Sequence, residues 1–433
     1  MTLSRLARVP RPLRLFLGLA AGAILFATLS PSDVSERLPP WWCVACGERG
    51  GADFILNVIL FMPLGAALRL AGARRRRAVA GGGVLSLCIE LTQTMVPGRD
   101  TSLGDVIANT LGTFAGFQLA DLTLAVARRP HPRPGTFAAP AAALLALAVV
   151  AVTGIALRPS YPPSTYYGQW TPDLDGGLEW YRGHVLRVRL GDTPVPSQRL
   201  EDQEQVHTLL RAGTPLDVTA LAGPPPRRMA PLFSIYDDLE REILMLAPRG
   251  ADLVIRFRTV SLDWGLDRPF LTLPGALAGV RAGDTLRVTL WRDHGRLCLA
   301  LDGRRDCALA FTAGAGWSVL IFPGRFGAWV KVLLGAMWVG GILLPAGFLA
   351  RSRNALAAVG AAALVGLAVV PGAVGLGPTP PAEWIGAAAG IALGVWARSA
   401  IPRIRFLQPP APASRPTPQT SATSSPRQRS IRP

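Results

Sequence analysis

The chain has 433 residues, half of them hydrophobic, and its mean hydropathy of +0.31 is too high for an ordinary soluble protein. The net charge of +17 lies mainly in short connections and tails beside apolar runs, whereas residues 158–325 are nearly neutral. The positive-inside rule explains this distribution better than nucleic-acid binding does. We therefore expect contact with a lipid bilayer and no nucleic-acid partner.

Eight apolar runs approach or reach the length of a membrane-spanning helix. They cover about residues 15–29, 53–70, 78–96, 103–127, 137–156, 329–350, 355–375 and 384–397. The first follows an arginine-rich start, as in a signal peptide, but no clear small-residue cleavage site follows it, so we interpret it as a retained helix. The sequence thus predicts a polytopic α-helical membrane protein with about eight transmembrane helices.

Charge predicts how these helices are oriented. The connections "RLAGARRRR", "ARRPHPRP", "RSR" and "RSAIPRIR" are rich in arginine, and they alternate with connections that carry few basic residues. Placing the arginine-rich connections in the cytoplasm makes both termini cytoplasmic. The long segment between the fifth and sixth runs is then extracytoplasmic.

That long segment, residues 158–327, lacks an apolar run of membrane length and is called the β region below. Short runs such as "ADLVIRFRTV" and "DTLRVTLWRDHGRLCLALDG" are separated by His-Gly and Asp-Gly turns, which is typical of antiparallel sheets. Cys298 and Cys307 flank one such turn, and a disulfide between them would agree with an extracytoplasmic position. "CVAC" at Cys43 and Cys46 leaves a local disulfide, free thiols or half of a metal site open. We predict neither a bound metal nor a cofactor.

Four domains follow from these boundaries. They are a five-helix transmembrane domain (1–157), an extracytoplasmic β-sandwich (158–327), a group of C-terminal transmembrane helices (328–400) and a basic, disordered cytoplasmic tail (401–433) rich in proline, serine and threonine.

Polar residues interrupt the third and fourth apolar runs at helical spacing, and two more lie in the second run and in the connection between the third and fourth. We call the following six residues the polar cluster and take them as candidates for a ligand-binding pocket: Asn57, Glu90, Gln93, Arg99, Asp105 and Asn109. A carboxylate inside a span costs about 2.5–3.5 kcal/mol on insertion scales, so Glu90 needs a partner, and Arg99 is the expected one. Ser102 and Asp105 have the spacing of a capping box for the fourth helix. The cluster could form a pocket that opens outward, or it could be a structural set of contacts that orients the helices.

The motifs "FMPLG", "E-x-x-Q" and "GRD-x-x-x-x-D-x-x-x-N-x-x-G", together with Asn57, resemble the VanZ-like integral membrane family over about residues 53–127. The founding member of that family is associated with resistance to the glycopeptide teicoplanin. The resemblance implies a protein of the bacterial cytoplasmic (inner) membrane, and it leaves the catalytic residues unknown.

Residues 178–322 resemble a concanavalin A-like (laminin G-like) jelly roll in their order of strands and turns. This resemblance implies glycan binding, for which Tyr236, Trp264 and Trp291 are either stacking platforms or core residues. Hydrolysis would need two carboxylates, and Glu240 with Glu242 is the nearest pair.

Three functions remain open at this point. The leading hypothesis is that the chain recognises or handles an envelope component, such as a lipid-linked precursor, a glycan or a glycopeptide antibiotic. The first alternative is an enzyme acting on a lipid-phosphate or glycan bond, with Glu90 or Asp105 as general base and Arg99 as anion clamp. The second is a non-catalytic scaffold that binds proteins. Whether the chain is an enzyme stays open, and the balance of these signals is against it.

Overall fold

A computed structural model describes residues 10–31, 40–99, 101–128, 137–173, 178–293 and 296–401. The predicted cytoplasmic tail, the arginine-rich connection at 129–136 and the His-Gly turn at 294–295 lie outside the described residues.

Each of the eight predicted runs coincides with a helix of 19 to 26 residues. The helices in chain order are α1 Arg11–Leu29, α2 Gly50–Leu70, α3 Arg75–Gln93, α4 Leu103–Arg128, α5 Ala138–Ala156, α6 Gln203–Ala212, α7 Val260–Asp263, α8 Ala328–Leu349, α9 Arg353–Ala373 and α10 Pro381–Ala400. Five of them, α1, α2, α5, α8 and α9, are long and apolar enough to cross a membrane. Spans at α3, α4 and α10 stay predictions.

The ends of the long helices alternate between the two sides of the bundle. At one side, Arg99 after α3 reaches the carbonyl of Ser30 after α1. At the other side, Arg351 after α8 donates to the carbonyl of Val126 near the end of α4, and Arg398 near the end of α10 donates to the carbonyl of Ala350. This up-and-down order is what the alternating arginine-rich connections predict.

Glycines allow α2 and α4 to pack with their backbones in contact. A Cβ atom on Gly112 would collide with the carbonyl oxygen of Val58, and one on Gly116 would collide with that of Met62. On α2, a Cβ on Gly65 would meet the carbonyl of Thr113. Small residues at helix interfaces are the usual means of close approach in membranes, where the hydrophobic effect between helices is absent.

The β region forms two antiparallel sheets. The strands are β1 Tyr166–Trp170, β2 His184–Leu190, β3 Thr193–Pro194, β4 Leu216–Leu221, β5 Phe233–Asp237, β6 Glu242–Arg249, β7 Asp252–Phe257, β8 Leu271–Leu273, β9 Thr285–Asp293, β10 Arg296–Leu301 and β11 Arg304–Leu309. The smaller sheet has the order β1-β5-β6-β7-β8, and the larger one has the order β11-β10-β9-β4-β2-β3. Inward-facing residues of both sheets, such as Val218 and Val288 of the larger and Phe233 and Ile255 of the smaller, share one buried core.

Two features of the β region differ from the sequence prediction. The predicted jelly-roll segment begins at residue 178, but β1 lies before it and pairs with β5. The helix α6 was not predicted; Asp202 caps it by accepting from the backbone N–H of Gln205 at 2.9 Å, and Gly213 ends it with φ 74°. By contrast, the predicted Asp-Gly turn between β10 and β11 is confirmed, since both Asp302 and Gly303 have positive φ.

Candidate functional site

Glu90 of α3 is 5% exposed, and its carboxylate lies at the start of α4. Its Oε2 accepts a hydrogen bond of 2.8 Å from the backbone N–H of Ser102, the residue that precedes α4. In a capping box this N–H would be satisfied by the third residue of the same helix, Asp105, so the predicted box is wrong. Glu90 takes that position from a neighbouring helix, and its carboxyl group lies at the positive end of the α4 dipole.

Arg99 does not pair with Glu90. Its Nε donates to the carbonyl of Ser30 and its Nη2 to the carbonyl of Ala27, both at 2.8 Å. Gln93 donates from Nε2 to the carbonyl of Thr28 at 3.0 Å. Both side chains therefore satisfy carbonyls at the end of α1, where an intrahelical partner is lacking, and they tie α1 to the α3–α4 connection.

The other three members of the polar cluster connect α4 with its neighbours. Asp105 is half-buried and hydrogen-bonds the side chain of Asn57 on α2. Asn109 is buried and donates from Nδ2 to Oγ of Ser86 on α3 at 2.9 Å. The structure thus brings all six predicted residues to the region where α1 to α4 meet, but they form several separate contacts between helices.

Two acceptors in the cluster are buried without a hydrogen-bond partner. They are Oε1 of Gln93 and Oδ1 of Asn109. A buried unsatisfied amide oxygen is rare in folded proteins and costs about 1–3 kcal/mol. A ligand or water that donated a hydrogen bond to either oxygen would remove this cost.

The segment with the two cysteines, residues 41–47, covers the start of α4, and we call it the Cys loop. The carbonyl of Trp41 accepts from the backbone N–H of Leu103 at 2.8 Å, and Gly104 packs directly against the carbonyl of Val44. Ser102 donates from Oγ to the carbonyl of Cys43 at 3.4 Å. The Cys loop therefore packs on the first residues of α4.

The β region docks on the Cys loop and on the start of α2. Arg49 forms an ion pair with Asp267 at 2.9 Å, and Glu48 forms one with Arg268 at 2.9 Å. The backbone N–H of Ala52, at the start of α2, donates to the carbonyl of Gly265 at 3.0 Å. One of the four free N–H groups of the α2 N-terminus is thus satisfied by the β region, which fixes the two parts against each other at this point.

A polar cavity of about 570 Å³ lies at this contact. Its charged lining residues are Glu48, Arg241, Glu242, Arg258, Asp263 and Arg268. Trp264 at its edge is 46% exposed, and Nε of Arg258 is buried without a hydrogen-bond partner. A cavity with both charge signs, an exposed aromatic ring and an unsatisfied donor suits a ligand rich in hydroxyl and anionic groups.

The carboxylate pair considered for hydrolysis, Glu240 and Glu242, is not arranged for it. Glu242 is buried and binds Arg256 through two hydrogen bonds, with Arg268 at 3.8 Å as a second cation. Glu240 lies in the turn before β6 with φ 60°. Burial and then Glu242 raise the pKa of the neighbouring Tyr236 to about 12, so this phenol stays protonated at neutral pH. Glu242 serves as an ion-pair partner here rather than as an acid or base.

Glu383 is a buried carboxylate that the sequence reasoning missed. It lies in the first turn of α10, accepts from Oγ1 of Thr312 and hydrogen-bonds the backbone of Gly314. Its Oε2 is buried without a partner. The signal was present in "PPAEWIG", an acidic residue at the start of an apolar run. Its contacts attach α10 to the end of the β region.

Disulfides join Cys43 to Cys46 and Cys298 to Cys307 in the structure. The first pair closes the Cys loop, and the second joins β10 to β11. Cys88 has a free thiol on the exposed side of α3. Among the described residues, no group of three or more His, Cys, Asp and Glu side chains is placed to hold a metal ion.

The helices α1 to α4, joined by buried polar contacts, define a membrane-type helical domain. The family model described as VanZ/LLP1 matches residues 16–124, so this part of the chain is a VanZ/LLP1 domain, and the predicted VanZ-like region is confirmed. Comparison with curated proteins and with solved structures finds no match. The resemblance of the β region to concanavalin A-like folds stays a prediction.

Proposed function

We propose that the chain is a cell-envelope membrane protein that recognises a glycan-bearing envelope component at the polar cavity between the Cys loop and the β region. The observation that carries this proposal is that residues of both parts line one cavity, with Glu48 from the VanZ/LLP1 side and Arg241, Arg258 and Arg268 from the β side. These three guanidinium groups are paired with Asp237, Asp263 and Glu48, and a phosphate or carboxylate group of a lipid-linked precursor or a glycopeptide would share or replace these partners.

The polar cluster has two roles in this proposal. Glu90, Gln93, Arg99 and Asn109 hold the helix ends and the Cys loop in place. Asp105 and Asn57 are only half-buried and lie outside the lining of the polar cavity, so we propose them for contact with the part of a ligand that extends toward the helices.

The proposal also assigns the four parts of the chain. Residues 1–157 and 328–400 carry the transmembrane helices of an inner-membrane protein with both termini in the cytoplasm. Residues 158–327 form an extracytoplasmic jelly roll of the glycan-binding type, with the Cys298–Cys307 disulfide, and residues 401–433 form a cytoplasmic tail. Support comes from the alternating helix ends and from the two sheets that share one core.

The test is a thermal-shift measurement on the full chain in detergent. Wild type, Arg268→Gln, Asp105→Asn and the control Arg304→Gln, which changes an exposed β11 residue, are compared with lipid-linked peptidoglycan precursor, undecaprenyl phosphate, teicoplanin and soluble glycans. We expect one ligand class to raise the Tm of wild type and control and to lose most of that effect in Arg268→Gln, whose side chain lines the cavity. A loss in Asp105→Asn as well would extend the contact to the helical part. Equal shifts in all four proteins, or no shift with any ligand, would refute recognition at this cavity.

A scaffold function is the second candidate, because one observation favours it. The polar contacts of Glu90, Gln93, Arg99 and Asn109 all join helices or connections to one another. Such contacts are what a rigid, non-catalytic platform would need. The enzyme alternative is weakened, because two donors of the proposed anion clamp, Arg99, are already bound to carbonyl oxygens.

A further inference from the structure

A second, apolar cavity of about 450 Å³ lies where the sandwich meets α5 and α9. This volume is within the range of about 300–1,000 Å³ that is usual for small-molecule sites. Leucine is the commonest lining residue, and leucines come from both sheets and from the segments that follow the two helices, among them Leu157, Leu216, Leu290, Leu297 and Leu376. The leucine-lined part of the cavity suits a hydrocarbon chain.

The charged groups of this apolar cavity are of one sign. In the described part of the chain, its two charged lining residues are Arg158 and Arg292. Arg158 is exposed and donates only a long hydrogen bond of 3.4 Å to the carbonyl of Val374. Arg292 donates to Oη of Tyr161 at 3.2 Å and to the carbonyl of Leu210 at 3.3 Å. Guanidinium groups with free N–H donors can bind an anionic head group, and the adjacent apolar cavity can hold the hydrocarbon part of the same molecule.

The cavity lies beside two helices that could cross a membrane, so membrane lipids are the nearest source of such a molecule. Its helical wall is formed by Gly154 and Leu157 of α5 and its extension, and by Gly372, Ala373 and Leu376 at the end of α9. Both helices are long and apolar enough to cross a membrane. The cavity therefore lies at the ends of these two helices, where such spans leave the hydrocarbon, so a lipid chain is the apolar ligand nearest to it.

We propose that this cavity binds one hydrocarbon chain of an anionic membrane lipid, with the head group held by Arg158 and Arg292. This site goes beyond the proposed function, because none of its lining residues belongs to the polar cavity. The bound lipid joins the β region to α5 and α9, on contacts separate from those that the Cys loop makes.

The test uses the full chain in nanodiscs that contain a lipid with a photoreactive group near the end of its chain. Three arms contain phosphatidylglycerol, phosphatidylcholine or a polyprenyl phosphate as the photoreactive lipid, and labelled peptides are mapped by mass spectrometry. The two anionic arms separate an acyl from a polyprenyl source. We expect labelling of peptides that carry Leu216, Leu290 or Leu297 with an anionic lipid, and much less with phosphatidylcholine.

Variants test the two halves of the site. Leu297→Trp and Thr214→Trp fill the cavity from partly buried positions, and Leu273→Trp is the matched control, since Leu273 packs on the same core outside the cavity. Arg158→Gln removes a head-group donor, and Arg187→Gln removes an exposed arginine elsewhere. We expect the filling variants to abolish labelling inside the sandwich and Arg158→Gln to lower it about tenfold, while both controls keep it.

The contrary results are equally definite. If wild-type labelling is confined to the outer surfaces of the helices, or if both filling variants fold and label like wild type, the cavity holds no lipid chain. If phosphatidylcholine labels as well as the anionic lipids and Arg158→Gln has no effect, the head-group assignment is overturned.

Discussion

The carboxylate of Glu90 accepts a hydrogen bond of 2.8 Å from the backbone N–H of Ser102, and a side chain of α3 thereby caps the N-terminus of α4. Because an intrahelical cap is replaced by one from a neighbour, the α3–α4 hairpin has a fixed geometry at this end. The Cys loop packs on this end of the hairpin, and the β region in turn contacts the Cys loop and the start of α2.

We predict that Glu90→Ala lowers the stability of the full chain. A hydrogen bond contributes about 0.5–1.5 kcal/mol to stability, and its loss would leave the Ser102 N–H without this partner. Glu90→Gln keeps an acceptor oxygen and should lower the free energy of unfolding by less than Glu90→Ala does. Thermal unfolding in detergent measures both, with the exposed Glu204→Gln as control. A higher Tm for Glu90→Ala would show that the buried carboxylate is a net cost to folding, as in a functional site, and would contradict the capping role.

Helix packing gives the second prediction, which compares two Gly→Ala changes. Gly116→Ala places a Cβ against the backbone of Met62, which cannot move aside as a side chain can, so we expect a loss of about 1–3 kcal/mol. A Cβ on Gly81 of α3 meets nothing within 4 Å. Gly81→Ala should therefore be neutral or gain up to about 0.5–1 kcal/mol from helix propensity. Both are measured by thermal unfolding, and equal effects of the two changes would refute backbone contact between α2 and α4.

The third prediction concerns the cysteines of the β region. Mass spectrometry of the unreduced, alkylated protein should show Cys298 and Cys307 protected and Cys88 alkylated once the protein is unfolded. The double change Cys298→Ser with Cys307→Ser should cost about 2–3 kcal/mol, as the chain-entropy model gives for so short a loop. Cys88→Ser is the control with little expected effect, because its thiol is exposed and unbonded. Alkylation of Cys298 and Cys307 without a reductant would place the β region in a reducing compartment.

Much of this fold could be predicted from the sequence, because its signals are local. An apolar run of about twenty residues indicates a long helix whatever its surroundings, and Asp302-Gly303 favours a tight hairpin through its own backbone preferences. The cap and stop of α6, Asp202 and Gly213, were equally local and were overlooked because the flanking segments alternate like strands.

The partners of polar side chains could not be predicted in the same way. Spacing along α3 indicates that Glu90 and Gln93 share a face, but it does not indicate which donor from α1 or α4 will meet them. The expected Glu90–Arg99 pair is the natural choice by charge. The structure uses backbone groups at helix ends instead, since those are the groups that lack partners of their own. The contact between Glu383 and Thr312 likewise depends on how the β region returns to the bundle.

The last prediction concerns the ion pair between Arg256 of β7 and Glu242 of β6, which is almost fully buried. Arg256→Met removes one partner and leaves the carboxylate of Glu242 with only Arg268 at 3.8 Å, so we expect a loss of about 3–5 kcal/mol. The double variant Glu242→Leu with Arg256→Met replaces both charges by apolar side chains of similar size, and it should recover most of that loss.

The coupling between the two charges is measured by thermal unfolding of Glu242→Leu, Arg256→Met and the double variant. Arg287→Met, at an exposed position of β9, is the control. If the double variant costs as much as the sum of the two single changes, the pair does not act as a unit. Because Glu242 also lines the polar cavity, the same variants separate stability from recognition. A double variant that regains its stability but loses the ligand-dependent shift would show that these charges are kept for binding rather than for folding.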